Sequence, residues 1–230
     1  MKIITGKNGQ EIAILETDNC ICRFVQESGV LSHDQNMLPI VLSHIPVGGV
    51  VIDVGAFIGD HTIAYANKAG QNGMVIAFEP DIDSYRCMMF NMRNYNNFTG
   101  FNVALGVGGH TASLNKVATN NGMNYLADGN DINVHSLDTV IPAQNLNRID
   151  FIKIDCEGYE LDVLQGGQRT IQKYKPKMLI EINEMTLNRN NVKREDIYEW
   201  LDVAGYVYHN IYPNHGLFES QMDILCQPIR

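Results

Sequence analysis

Three carboxylates in this chain stand at the ends of short apolar runs: Asp53 after Val50-Val51-Ile52, Glu79 after Met74-Val75-Ile76-Ala77-Phe78, and Asp155 after Phe151-Ile152-Lys153-Ile154. Glu157 follows in the turn Asp155-Cys156-Glu157-Gly158. Glu181 lies within or at the end of the run 178–182, and Asn183, two residues on, shares its side. Several acids at one sheet edge repel one another unless a cation, a basic group or shared protons offset them. Two chemistries follow. Adjacent parallel strands lie about 5 Å apart, so Asp155, Glu181 and Asn183 can converge on a hard divalent cation such as Mg²⁺ or Mn²⁺. Alternatively, one acid with its pKa raised by its neighbours acts as general base towards a hydroxyl. Lys153, two residues before Asp155, shares its face and can neutralise part of the charge. Structural uses stand beside these: Glu157 can cap the helix after it, and Glu181 can pair with a lysine.

The segment Asp53-Val54-Gly55-Ala56-Phe57-Ile58-Gly59 places two glycines four residues apart between a strand and a helix. Such a loop can lay bare backbone against a ligand, with a helix N-terminus behind it. The spacing D-x-G-x-x-x-G differs from the G-x-G-x-x-G of dinucleotide binders. The wider loop is the one used by enzymes that bind S-adenosylmethionine (SAM). Gly55→Val is then expected to block SAM by placing a side chain where the ligand meets the backbone. Glu79-Pro80 closes the next strand, where a carboxylate in a βαβ unit lies beside a ribose and can accept from both hydroxyls. Its structural alternative is a surface acid capping the helix that starts near Asp81.

The elements that must position these groups alternate. Residues 2–5, 11–15 and 20–25 read as three short extended segments, with Asn8-Gly9 as a turn between the first two. A linker with Gly29, Ser32, Asp34 and Asn36 leads to a helix over 37–45. The expected division is an N-terminal β-element with linker over 1–36 and a main domain over 37–230. Ile63, Ala64 and Ala66 belong to the first helix of the main domain. Ile82, Tyr85, Met89 and Met92 recur at helical spacing after Asp81, as a packing face. Strands are expected at 101–105 and 132–137, and the Gly- and Asn-rich stretch 106–131 forms a hairpin or a mobile loop over the site. Helices over 159–164 and 195–204 and closing strands at 206–211 and 222–226 complete the pattern. The fold class is α/β: a doubly wound, mostly parallel sheet with right-handed crossovers and an antiparallel last strand.

A charge of −9 over 230 residues, with no Lys/Arg cluster, argues against a nucleic-acid partner. Five cysteines without metal spacing read as reduced thiols. With neither a signal-peptide pattern nor a long apolar run, the expectation is a cytoplasmic protein with no membrane insertion. No tyrosine has a lysine four residues later, which disfavours a nicotinamide-dependent epimerase or reductase. Seven histidines include His61 just after the loop, and His209 and His215 near the end. Each is a candidate base, although an isolated histidine is more often structural.

Five segments together resemble the FkbM family of SAM-dependent methyltransferases: Ile52–Gly59, Ala77-Phe78-Glu79-Pro80, Asn102-Val103-Ala104-Leu105-Gly106, Ser136-Leu137-Asp138 and Ile149–Glu160. The K-x-D-x-E-G-x-E block from Lys153 to Glu160 is far more specific than the glycine loop. The resemblance spans about residues 50–182. It implies a class I (Rossmann-like) methyltransferase fold and methyl transfer to a hydroxyl of a sugar, glycan or other small-molecule scaffold. By position, Asp53, Gly55, Gly59 and Glu79 would hold SAM, with Ala56 and Pro80 flanking them. Asp155 and Glu157 would face the reacting hydroxyl beside Lys153. Phe57 departs from the family, which commonly has a small polar residue such as Asn there. The rival functions are methylation of nucleic acid or protein, and a non-catalytic SAM-binding module. A nucleic-acid base methyltransferase often carries D/N-P-P-Y/F where this chain has Asp155-Cys156-Glu157-Gly158, and a non-catalytic module has no need of the acids at 155, 157 and 181.

Overall fold

The computed structural model describes residues 1–31, 36–211 and 220–229. Strands β1 (Lys2–Thr5) and β2 (Glu11–Ile14) precede helices α1 (Ile21–Ser28) and α2 (Met37–Ser43). The alternation then runs β3 (Val50–Val54), α3 (Thr62–Ala69), β4 (Met74–Phe78), α4 (Ile82–Asn91), β5 (Phe98–Phe101). Next come β6 (Ala104–Leu105), β7 (His110–Asn115), β8 (Tyr125–Asp128), β9 (Ile132–His135) and α5 (Leu137–Val140). The second half holds β10 (Phe151–Ile154), α6 (Glu160–Gly166), α7 (Gln168–Tyr174), β11 (Lys177–Asn183), α8 (Glu184–Leu187) and α9 (Arg194–Ala204). Strands β12 (Tyr206–Asn210) and β13 (Gln221–Pro228) follow.

The main sheet has the order β12-β13-β11-β10-β3-β4-β5. The pairs from β11 to β5 are parallel, and β13 runs antiparallel to both β11 and β12. From β3 the chain winds outward to β5, then restarts at β10 on β3's other side, so the switch point lies between β3 and β10. In such sheets ligands bind outside the carboxyl ends at that point. The central strands are buried on both faces, as their continuous apolar runs require. Val50, Ile52, Val54, Ile152, Ile154 and Ile180 join a core with α6, α7 and α9, and Val51, Phe151 and Leu179 join the opposite core with α2, α3 and α4. Each fully buried aliphatic side chain contributes about 1.5–3 kcal/mol. Because side chains alternate, Asp53 and Lys153, partners in the β3–β10 register, point to the α3 side.

Several expectations change. Residues 21–25 are helical, within α1, and Cys20 is its N-cap. Cys22 and Val25, three apart, bury one face, and the Asp18 carboxylate accepts from the N–H groups of Cys20 (3.1 Å) and Cys22 (2.8 Å). The strand expected at 101–105 is split: β5 ends at Phe101 in the main sheet, and β6 starts a second sheet of order β6-β9-β7-β8. Of 132–137, only Ile132–His135 is strand; Ser136 starts α5 through a capping box with Thr139. The buried face of α4 is Ser84, Cys87, Met88 and Asn91, whereas Ile82 and Met89 are exposed, because α4 packs against both the sheet and β2. The stretch 106–131 takes the hairpin alternative as β7 and β8. Part of the expected linker (Ser32 and Asp34), the loop 212–219 and His215 lie outside the described residues.

The N-terminal segment is fastened to the loop between β3 and α3. Ile12, Ala13, Val25 and Leu31 share a core with Phe57, Ile58 and Cys87. Asn91 of α4 accepts from Ala13 N–H (2.7 Å) and donates to the carbonyls of Ala13 (3.0 Å) and Ile58 (2.8 Å).

Candidate active site

Glycine is required at 55 for two reasons. Its φ is +77°, and a Cβ there would overlap the carbonyl oxygen of Asp155. The β3–α3 loop therefore passes directly against the β10–α6 turn, which corrects the idea that a side chain at 55 would first meet the ligand. The N–H groups of Gly55 and Ala56 both donate to Phe78 O (3.0 and 3.1 Å), and that of Phe57 donates to Glu79 Oε2 (2.8 Å). Phe57 itself sits at φ +49°. That region costs an L-residue roughly 1–2 kcal/mol and suits asparagine better. Burial of the ring in the N-terminal core offsets the strain. Gly59, at φ +84°, is approached by Met88, whose Cγ would lie 3.1 Å from an added Cβ. Its glycine thus serves the turn and the packing of α4.

A cavity of about 350 Å³ opens at the carboxyl ends of β3, β4, β10 and β11. Gly55 and Phe57 form its floor, and Phe78, Glu79 and Pro80 line one wall with Val103–Leu105. Lys153, Asp155, Cys156, Glu157 and Glu181 form the opposite wall, joined by Gln221 and Asp223 of β13. The roof is Leu114, Leu126 and residues 120–124 of the hairpin, with Cys20 and Ile21 of the N-terminal segment. Asp53, Ala56 and Gly59 are buried and stand outside this lining.

Tethers hold the roof. Lys116 reaches Asp81 (2.8 Å) and Asp83 (3.1 Å) on α4, the Asp18 carboxylate accepts from Asn121 N–H (2.9 Å), and Asn19 N–H donates to Thr119 O (2.9 Å). The segment has no periodicity, so the sequence shows a hairpin or loop here but does not single out these residues.

Lys153 lies 2.9 Å from Asp155 Oδ2 and 4.0 Å from Asp53 Oδ1, and donates to Gly55 O (3.3 Å). Burial works against its charge, but Asp155 and Asp53 outweigh it and hold the ammonium above the ordinary lysine range. Burial likewise pushes the Asp155 carboxyl up, yet the Lys153 ammonium and hydrogen bonds from Lys153 and Glu181 keep it below the usual carboxylate range. Glu181 is driven well up by burial and by the charges of Asp155, Glu157 and Asp223, and its Oε1 accepts from Gln221 Nε2 (2.6 Å). Within this pair the charge is favoured on Asp155 and the proton on Glu181. Burial, then the charges of Asp155 and Glu160, push Glu157 up to about 8. Its backbone is left-handed (φ +56°), and its buried Oε2 has no hydrogen-bond partner among the described residues.

The cap of the β10–α6 turn is Glu160: its Oε1 accepts from the N–H groups of Cys156 and Gly158 (both 3.1 Å). This corrects the alternative role for Glu157 and assigns one to the last acid of the K-x-D-x-E-G-x-E block. Carboxylate oxygens of Asp155, Glu157 and Glu181 lie within 4.8 Å of one another. The third acid beside Asp155 and Glu181 is therefore Glu157. Asn183 instead accepts from Met185 N–H (3.1 Å) at the start of α8.

On the other wall, Glu79 spends one lone pair of each oxygen on Phe57 N–H and Asp81 N–H (2.8 Å each), which leaves further lone pairs for a diol. Burial pushes it to about 7 against those two donors. Asp53, raised by burial to about 6, accepts from Thr62 Oγ (2.6 Å) and supports Lys153 from behind. A bare-backbone floor, a carboxylate with spare acceptor capacity and an apolar wall at the switch point fit a nucleoside-bearing cofactor. His61 lines the same cavity, with Nε2 3.9 Å from Asp60 Oδ2, whereas His209 lies on β12.

These protonation states predict a pH dependence. A carboxyl whose folded pKa is raised contributes stability that is fully present below its unfolded pKa and lost as pH rises through the folded value. For Glu157 that window runs from its ordinary value of 4.5 to about 8, and for Glu79 to about 7. The melting temperature of the ligand-free protein is therefore expected to fall by several degrees between pH 6 and 8.5. Glu157→Gln should flatten that slope in differential scanning calorimetry. Parallel slopes for the two proteins would contradict the buried state of this acid.

The sequence model of the Methyltransferase FkbM domain matches residues 53–208. Hexuronic acid methyltransferase AglP of Haloferax volcanii is 26% identical over 149 residues, covering 62% of this chain and 59% of that protein. Among solved structures, methyltransferase FkbM from Methylobacillus flagellatus KT superposes with a TM-score of 0.53 at 19% identity, over 77% of this chain and 43% of the other. A putative methyltransferase from Streptococcus mutans, SMU.1697c, solved in complex with SAH, gives 0.53 at 7% identity over 84% and 96%. A putative rRNA-methylase from Clostridium thermocellum gives 0.55 at 9% over 84% and 95%. All three solved structures share the fold alone. The chain thus spans less than two thirds of the curated relative and of the solved FkbM protein. No helix among the described residues is long and apolar enough to cross a membrane. The sequence match covers most of the doubly wound sheet and both walls of the cavity apart from Gln221 and Asp223: the chain belongs to the FkbM family of SAM-dependent methyltransferases.

Proposed function

We propose that this methyltransferase acts on a hydroxyl of a sugar or sugar-bearing molecule, with Asp155 as the group that takes the hydroxyl's proton. The observation that carries the reading is Asp155: ionised, held by Lys153 at 2.9 Å, with a side chain 32% exposed, on the cavity wall across from Glu79. The name of the curated relative, a hexuronic acid methyltransferase, supports a sugar acceptor. SAM, when bound, supplies a methyl group on a positively charged sulfur. Glu79 would hold the ribose, Gly55 would present backbone to the cofactor, and the apolar wall of Phe78, Val103 and Leu105 would exclude water from its ring.

On the acceptor side, a hydroxyl must lose its proton as it attacks, and a positioned carboxylate contributes typically about 10²–10⁴-fold by accepting it. Asp155 is fixed in orientation by Lys153, whose charge, with the hydrogen bonds from Lys153 and Glu181, keeps it below the usual carboxylate range instead of raised as the crowding of acids alone would make it. Enclosure of both partners in one cleft supplies the orientation that in-line transfer needs. The three acids could also hold a divalent cation through their oxygens. Lys153 already places a positive charge against Asp155, which favours the base over the metal.

The test is a labelled-methyl assay against hexosides, hexuronides, polyketide-like alcohols and RNA, with and without exhaustive EDTA. Transfer to a hydroxylated sugar that survives EDTA is expected. Transfer to RNA or DNA and to no hydroxylated small molecule would sink the sugar reading, and activity lost to EDTA and restored by Mg²⁺ would replace the base with the metal.

A further inference from the structure

Within this proposed site the positive charges are unevenly committed. Among the described residues lining the cavity, Lys153 is the one lysine or arginine, and it is neutralised by Asp155 and Asp53. Arg189 differs. It lies in the turn Asn188–Asn190, after β11 and α8, and that turn is locked to the reaction-side wall. Asn190 Nδ2 donates to Gly158 O (3.0 Å), and a Cβ on Gly158 would overlap the carbonyl of Thr186. The backbone carrying Arg189 is therefore held against Glu157-Gly158.

Its guanidinium lies over the ring of Tyr125, 4.3 Å from the centroid. Tyr125 belongs to the roof hairpin, between Asn124 and Leu126, which both line the cavity, while Tyr125 and Arg189 themselves stand just outside that lining. Arg189 thus reaches from the reaction-side wall to the roof. It is exposed, and among the described residues it forms no ion pair with an acid. Its charge nonetheless reaches Glu157 and opposes the upward push of burial there. A guanidinium held over an aromatic ring spends no N–H on it, and its N–H edge matches the oxygens of a carboxylate or phosphate two at a time. In a chain of net charge −9, a cation at this place needs a use.

We infer that Arg189 binds an anionic oxygen group of the acceptor, a sugar carboxylate or phosphate, and so sets which hydroxyl is presented to Asp155. The inference rests on the sugar reading and adds its charge requirement. The test takes three nitrophenyl glycosides that differ at one carbon: a hexoside, its hexuronide and its 6-phosphate. Each is measured for methyl transfer and, with SAH in place of the methyl donor, for binding by calorimetry, with Arg189→Gln and Arg189→Lys beside the unaltered protein.

The unaltered protein should prefer one charged glycoside to the neutral one, and which one identifies the anion. Arg189→Gln should cut the charged-over-neutral ratio of kcat/KM by about 10- to 100-fold. The loss should appear in KM and in the calorimetric Kd rather than in kcat, and Arg189→Lys should recover part of it. Raised salt should weaken binding of the charged glycoside selectively. Equal losses for charged and neutral glycosides would reduce Arg189 to a strut between wall and roof and overturn this inference alone, as would an unaltered protein that does not discriminate. No transfer to any glycoside would overturn it together with the sugar reading.

Discussion

Asp155→Asn is expected to lower methyl-transfer turnover by about 10²–10⁴-fold while leaving affinity for SAM within a few-fold. The amide has the carboxylate's shape but not its symmetry. Lys153 lies 2.9 Å from Asp155 Oδ2 and can only donate, so the Asn oxygen must turn to it. The amide N–H₂ then faces Glu181 or the cavity, where the reacting hydroxyl needs an acceptor. Lys153 also loses one of two counter-charges and keeps Asp53 at 4.0 Å, so a stability loss of about 1–3 kcal/mol should accompany the kinetic one. Single-turnover transfer of labelled methyl, with SAM titration by calorimetry, separates the effects. An Asn variant that turns over within a few-fold of the original would remove Asp155 from the proton's path.

Gly55→Ala should cost about 4 kcal/mol or more of folding stability, before any effect on SAM. The residue is held at φ +77°, and its would-be Cβ overlaps the Asp155 carbonyl, an atom of the main chain that cannot swing aside. Relief requires β3 and β10 to part at the switch point, where Asp155 N–H also bonds Val54 O (3.1 Å). Gly9→Ala is the natural control: φ there is +72°, but nothing lies within 4 Å of the added carbon. It should lose only the conformational share, about 1 kcal/mol. Thermal unfolding of both variants decides the matter, and equal losses would mean that backbone strain alone, without collision, fixes glycine at 55.

The same residue shows why a motif can be read correctly for an incomplete reason. The strand–loop–helix around Gly55, the acid at the end of β4 and the block from Lys153 to Glu160 are all local. Strand period, a positive φ and an acid at a strand end are written within a few consecutive residues, so the sheet's parallel half and its two acidic walls were legible. The face shared by Lys153 and Asp155 followed from alternation along β10 and holds as a 2.9 Å ion pair. The antiparallel closing strands were legible too, as alternating runs about a polar loop.

What sequence alone determined, then, is the family, the doubly wound order and the acids that reach the carboxyl edge, because each depends on short-range periodicity or backbone conformation. Tertiary structure decided what those groups do. Residues 20–25 read as extended until the Asp18 carboxylate, itself bound to Asn121 more than a hundred positions away, is seen holding the first turn of a helix. Asn183 shares Glu181's face yet caps α8, while Glu157 enters the acidic set through a left-handed turn that no period encodes. The roof carries no pattern of its own; Lys116, Asp18 and Tyr125 become meaningful only when packing brings α4, the N-terminal segment and the turn bearing Arg189 against the one hairpin. Charge states depend in the same way on burial and on neighbours across strands, and those distances exist only once the chain has folded.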